Sequence, residues 1–182
     1  YLSMQLRPIL FSFLLLFFIP STLLSQYPGD TVQAENDILR SDSWLGRNID
    51  SARFYADRAL AACSGVECRT LRRALSLQGL IHAEQADYNG AIPYFDSAAR
   101  MAWRLKDTFK ALAMYDNSGI QLQQAGRIAE AVRTHLMALK LSEGFADKGI
   151  RSDILNNLGV DFQQVHDGEN SIKYLKQSLA LA

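Results

Sequence analysis

The sequence predicts an all-α fold, a solenoid of stacked antiparallel helical hairpins. Three observations carry that expectation. Gly79, Gly119 and Gly159 are evenly spaced along the chain, with a constant period of 40. The same order of small and bulky residues returns behind each of them. Proline, which breaks helix interiors, is confined to Pro8, Pro20 and Pro28 apart from Pro93. The composition permits a packed core, with 48% hydrophobic and 21% charged residues, both ordinary for a globular chain. Basic and acidic residues balance at 19 each. That balance lacks the basic footprint of a nucleic-acid binder, so no nucleic-acid partner is expected.

Residues 1–25 read as a signal peptide. Arg7 supplies a positive start, and Ile9 to Ile19 is apolar apart from Ser12. Pro20 and Ser21 break the run, and the small Ser25 suits the residue before a cut at Gln26. The run is shorter than the ~20 apolar residues that span a bilayer. Cleavage is expected, with an uncleaved anchor as the alternative. The expected location is therefore exported, periplasmic or extracytoplasmic. A membrane enters only through an uncleaved signal or a missing C-terminal region.

Residues 26–66 read as a degenerate first hairpin. Val32 to Ser43 is its first helix and Ile49 to Ala62 its second, with Ala52 and Ala59 two helical turns apart. Residues 67–182 hold three clearer hairpins, at about 69–106, 107–146 and 147–182. Twelve positions after each glycine stands a small residue: Ala91, Ala131 and Ser171. Phe95, His135 and Leu175 follow four later, and Ala98, Ala138 and Ser178 three beyond those. Spacing of i, i+4 and i+7 is one face of a helix. The turns fall at residues 86–90, 125–127 and 166–168, rich in the Gly, Asn and Asp that turns prefer. A glycine inside a helix costs ~1 kcal/mol against alanine. Three at one phase imply a close approach, expected here as Gly79 against Ala91 where paired helices cross, with bulky neighbours interlocking one turn away. Pro93 is expected in the first turn of its helix, where a missing N–H costs little. One hairpin cannot bury both faces, so the hairpins must stack.

These residues resemble the tetratricopeptide repeat (TPR) family, in an exported bacterial variant. Leu158-Gly159-x-x-Phe162 matches its first helix, and Ala91-x-x-x-Phe95-x-x-Ala98 its second. The departures are specific. His82 and Leu122 stand where the first helix carries an aromatic, His135 replaces the second aromatic, and the closing proline is absent. The period is 40 rather than 34, so longer first helices are expected, as in the run from Asp107 to Gln124. The resemblance implies a right-handed α-solenoid whose first helices line a concave groove for a protein or peptide partner. The groove positions would be Ser76, Leu80, Ala83 and Glu84; Asp116, Ile120, Gln123 and Gln124; and Asn156, Val160, Gln163 and Gln164. The glutamine pairs have two readings: hydrogen bonding to a ligand backbone, or a solvated face of good helix formers. Ile120 and Val160 fall where the family's clamp for a terminal carboxylate needs asparagine, so that specificity is not expected.

Cys63 and Cys68 flank a short loop. In an oxidising compartment a disulfide is expected there, adding ~2 kcal/mol at most for so small a loop; the alternative is two free thiols at helix ends. A zinc site needs four ligands, and no histidine lies nearby. His82 and His135 occupy packing phases, and His166 a turn. No phosphate-binding, zinc-protease or nucleophile-elbow motif occurs. Catalytic residues, cofactor and metal are all expected to be none, and the chain not to be an enzyme. The expected function is an exported interaction scaffold. The alternative is the extracytoplasmic sensor segment of a larger signalling protein, a membrane-anchored histidine kinase or DNA-binding regulator, by analogy of architecture. The chain ends on a second helix without the polar cap that solenoids need, so it is expected to be C-terminally incomplete.

Overall fold

The computed structural model describes residues 28–63 and 67–181. These form eight helices, with no strand among the described residues. They are α1 (Pro28–Trp44), α2 (Ile49–Ala62), α3 (Arg69–Glu84), α4 (Tyr88–Arg104), α5 (Thr108–Gln124), α6 (Ile128–Leu141), α7 (Lys148–Gln164) and α8 (Gly168–Leu179). The expected signal peptide lies outside the described residues. Among the described residues, no helix is long and apolar enough to cross a membrane.

The helices pair in chain order as four hairpins, and each second helix also packs on the next first helix. First helices touch as well, α1 with α3 and α5 with α7. The result is an all-α solenoid. α1 starts at Pro28, one turn before the expected Val32. Proline suits a first helical position because the N–H it lacks would have had no partner there.

The turns inside the hairpins share one backbone device. Gly46, Ala86, Gly126 and His166 all have positive φ, at 74°, 57°, 74° and 60°. They recur with the same period as the helical glycines. A left-handed residue just past a helix lets the chain reverse while satisfying the last carbonyls. Asp87 and Asp167 then cap α4 and α8, each side chain accepting a backbone N–H, as Asn48 does for α2. The first hairpin, weak in sequence, thus keeps the register of the other three.

The glycines work differently from the expectation. A methyl at Gly79 would meet Phe95 Cε1 at 2.9 Å; at Gly119 it would run into the His135 ring; at Gly159 it would lie 2.5 Å from Leu175 Cγ. Each glycine is a notch for the bulky residue 16 positions later, not chiefly for the small one at 12. Phe95 and His135 seat deeply, at 1% and 0% exposure, while Leu175 on the last helix stays 37% exposed. A buried Phe contributes about 1.5–3 kcal/mol. The small residues do another job. Ala91, Ala98, Ala131 and Ala138 are fully buried, and their size lets neighbouring helices come close. In the last copy backbone also approaches the glycine, with Ser171 O 3.3 Å from a Gly159 methyl.

Aromatic pairs close two of the hairpins. Phe162 stacks on Tyr174 at 5.4 Å, and His82 on Tyr94 at 5.2 Å. His82 therefore fills its aromatic position by stacking. Pro93 is the sixth residue of α4, beyond the first turn expected for it. It is exposed, so the bond it cannot make to Asn89 faces solvent. The extra period length is distributed. The first helices α3, α5 and α7 have 16, 17 and 17 residues. α4 has 17, whereas α6 has 14 and is followed by the link 142–147.

Candidate functional site

Two polar constellations lie between the helices. The first is buried. His135 on α6 sits between Asp161 on α7 and Asp116 on α5. Its Nδ1 is 2.6 Å from Asp161 Oδ2, and its Nε2 is 3.3 Å from the Asp116 carbonyl and 3.6 Å from Asp116 Oδ1. Both ring nitrogens face oxygen acceptors. Gln123 donates to Asp161 Oδ1 at 2.9 Å, and Asn157 donates to Asp116 Oδ1 at 2.9 Å. His135 and Asp161 are fully buried, and Asp116 is 7% exposed. Three helices of two hairpins are thereby joined. Simpler ties hold the earlier hairpins: Gln78 donates to Asp57 at 2.7 Å, and Ser118 to Asp96 at 2.6 Å.

This cluster removes two residues from the expected groove. Asp116 and Gln123 have the phase of a surface position on α5, but α7 covers that face and uses both side chains. Burial raises the Asp116 carboxyl above its ordinary range, against the Asn157 bond and the His135 charge that lower it; Asp153 and Asp161 add to the rise. A folded-state pKa above the unfolded one means that Asp116 favours the fold below the ordinary carboxylate range. The contribution fades as pH rises through the folded value. Asp116→Asn keeps an acceptor for Asn157 and the carbonyl for His135, and removes the buried charge. Its stability relative to the natural chain should therefore rise between pH 4 and pH 7.5 in urea titrations; a difference independent of pH would contradict this.

The second constellation is open. A depression of about 290 Å³ lies on the first-helix face. α1 contributes Ile38 and Asp42, α3 contributes Arg72, Arg73, Ser76, Leu77 and Leu80, and α5 contributes Lys110. Ser76 and Leu80 are thus where the sequence reading placed them, beside a basic group it did not single out. Arg73 pairs with Glu35 and lies 3.8 Å from Asp42. Glu35 also accepts the Thr70 hydroxyl at 2.7 Å. Desolvation raises the Asp42 carboxyl, opposed by Arg73. Arg72 is 8% exposed, and its Nε has no hydrogen-bond partner among the described residues. Burial lowers its pKa, countered first by the Asp107 charge.

The other expected groove residues divide. Glu84 is exposed, and its carboxylate accepts the Gly46 N–H at 3.3 Å across to the first hairpin. Ala83 packs on the core around Phe95. Ile120 and Val160 are half-buried; Gln124, Asn156, Gln163 and Gln164 are exposed. Gln163 borders a shallow depression with Ile172 and Leu175 at the edge of the last hairpin. Arg72 and Arg73 were visible in the run Leu71-Arg-Arg-Ala, two turns before Gly79. Nothing in sequence joins them to Lys110.

Cys63 and Cys68 are free thiols in the structure, not the expected disulfide. Cys68 caps α3, its Sγ accepting the Leu71 N–H at 3.3 Å. Cys63 is buried, and desolvation, followed by the neighbouring Cys68, pushes its thiol up to about 11. Among the described residues, no group of three or more His, Cys, Asp or Glu is placed to hold a metal ion.

No family profile matches this chain, and no curated protein matches it. Solved structures do. BtubC from P. vanneervenii superposes with a TM-score of 0.75 at 17% identity, covering 84% of this chain and 64% of its own. Aspartyl phosphate phosphatase F from Bacillus subtilis gives 0.74 at 17% identity, covering 84% and 40%. A Podospora anserina kinesin light chain with nearly identical TPR-like repeats gives 0.72 at 12% identity, covering 88% and 78%. The chain spans 40% and 64% of the length of the two bacterial proteins. At these identities the likeness shows the fold: a TPR-like helical solenoid.

Proposed function

We propose that this chain is an exported interaction scaffold that holds a peptide or protein segment in the groove of its first helices, without catalysis of its own. One observation carries the reading. The first-helix face between α1, α3 and α5 holds an open depression where apolar Ile38, Leu77 and Leu80 adjoin polar Ser76, Arg73 and Lys110. Mixed lining of this kind fits an extended segment that offers both side-chain and backbone groups. The TPR-like fold supports it by analogy, since such solenoids present long concave surfaces. Export rests on the apolar run Ile9 to Ile19, and a mature N-terminus at Gln26 tests it.

The groove itself is tested with random peptides selected for binding to the full chain. Leu80→Asp puts a charge at a 38% exposed groove position without touching the core. It should weaken the selected peptides about tenfold or more, as loss of a central contact does. Phe54→Ser on α2, outside the depression, should leave them unchanged. Peptides that bind Leu80→Asp as tightly as the natural chain would overturn the proposal.

A further inference from the structure

Among the described residues, Arg72 is a strongly buried cation on this face that the Asp107 and Glu35 charges reach without a direct ion pair. Its side chain lines the depression at 8% exposure, and its Nε lacks a partner among the described residues. A guanidinium has five donors and is always charged. Removing one of those donors from water without a partner is costly, and natural cores rarely leave such a group unmatched. The nearby anions are already engaged. Glu35 and Asp42 attend Arg73, and Asp107 caps α5 by accepting the Lys110 N–H at 3.2 Å. The Lys110 ammonium stands over its neighbour Phe109, 5.3 Å from the ring centroid, and lines the same depression.

We infer that Arg72, with Lys110 beside it, is an anion-recognition site that takes a carboxylate from the bound segment. The inference rests on the groove reading above and adds the chemistry of the partner: an acidic side chain next to an aliphatic one. Charge arithmetic selects a carboxylate. Arg69, Arg72, Arg73 and Lys110 stand against Glu35, Asp42 and Asp107, an excess of one positive charge that one monoanion balances, whereas a dianionic phosphate would overshoot it and crowd three carboxylates. The planar guanidinium matches a carboxylate bidentately. Leu80, 38% exposed, supplies apolar surface for the neighbouring side chain.

The test uses the full chain and two acetylated, amidated peptides, one a repeat of Glu-Leu-Ser and the other of Gln-Leu-Ser. Binding is read by fluorescence anisotropy, and location by amide shifts at Ser76 and Leu80. The acidic peptide should bind about tenfold or more tightly than its twin, as expected for a charge-assisted pair, and weaken with added salt. Arg72→Met should abolish that preference while the melting temperature stays level or rises, because a buried charge without a direct ion pair has been replaced by a side chain of similar reach. A purely structural arginine would instead lower the melting temperature and leave the preference intact, which would overturn the inference. Lys110→Gln, at an exposed position, repeats the binding test without touching the core and should weaken only the acidic peptide. Equal binding of both peptides with shifts at Ser76 and Leu80 would overturn the inference and leave the groove reading standing. Absence of any shift there would overturn both.

Discussion

Replacing His135 by alanine should destabilise the chain by about 3–5 kcal/mol, the cost of leaving a buried carboxylate without its partner. The magnitude follows from what is left behind. Asp161 is fully buried and would keep only the Gln123 amide. Asp116 would lose the His135 ring, whose Nε2 lies 3.6 Å from its Oδ1. A stability of ordinary size is about 5–15 kcal/mol, so the loss would be a large fraction of it. The damage should centre on the α5–α6–α7 contact, because each hairpin touches only its neighbours. Hydrogen exchange should show α7 and α8 losing protection while α1 and α2 keep theirs. Uniform loss along the chain, or a change in urea unfolding well below the range for a buried network, would show that these residues are not a clamp.

Gly119→Ala should cost about 2–4 kcal/mol, a sum of two terms. The methyl would stand 2.6 Å from His135 Cδ2 and Cε1, well inside contact distance. Overpacking costs about 1–3 kcal/mol, and displacing the ring strains bonds worth about 1 kcal/mol or more each. The better helix propensity of alanine returns only ~1 kcal/mol. Gly168 has nothing within 4 Å of an added methyl, so the same substitution there should change stability little. Equal effects at the two sites would mean that backbone freedom, not space, explains the helical glycines.

The period, the hairpins and the second helix at Ile49–Ala62 were legible because helix spacing and turn chemistry are local. The glycine partners were legible too, since Phe95, His135 and Leu175 all follow at one constant offset, but the expectation settled on the small residues one turn earlier. Helix phase alone does not say which of two inward positions meets the notch. The turn register was also present, with Gly46 and Gly126 two periods apart and Ala86 and His166 between and beyond them. The groove was harder. Ser76 and Leu80 fell on it because their face of α3 stays open. Asp116 and Gln123 share that phase on α5, yet α7 closes over them, and the phase of one helix carries no information about its neighbour. Arg72 and Lys110 belong to different hairpins, so only stacking brings them into one depression.

The stacking of the three later hairpins turns on how each first-helix glycine receives the bulky side chain of the second helix. The coupling energy between Gly119→Ala and His135→Ala measures that fit directly. With the ring gone, the methyl has room, so the double variant should be no less stable than His135→Ala alone, giving a coupling of about 2 kcal/mol or more, within the range for residues in contact. Costs that simply add would contradict it.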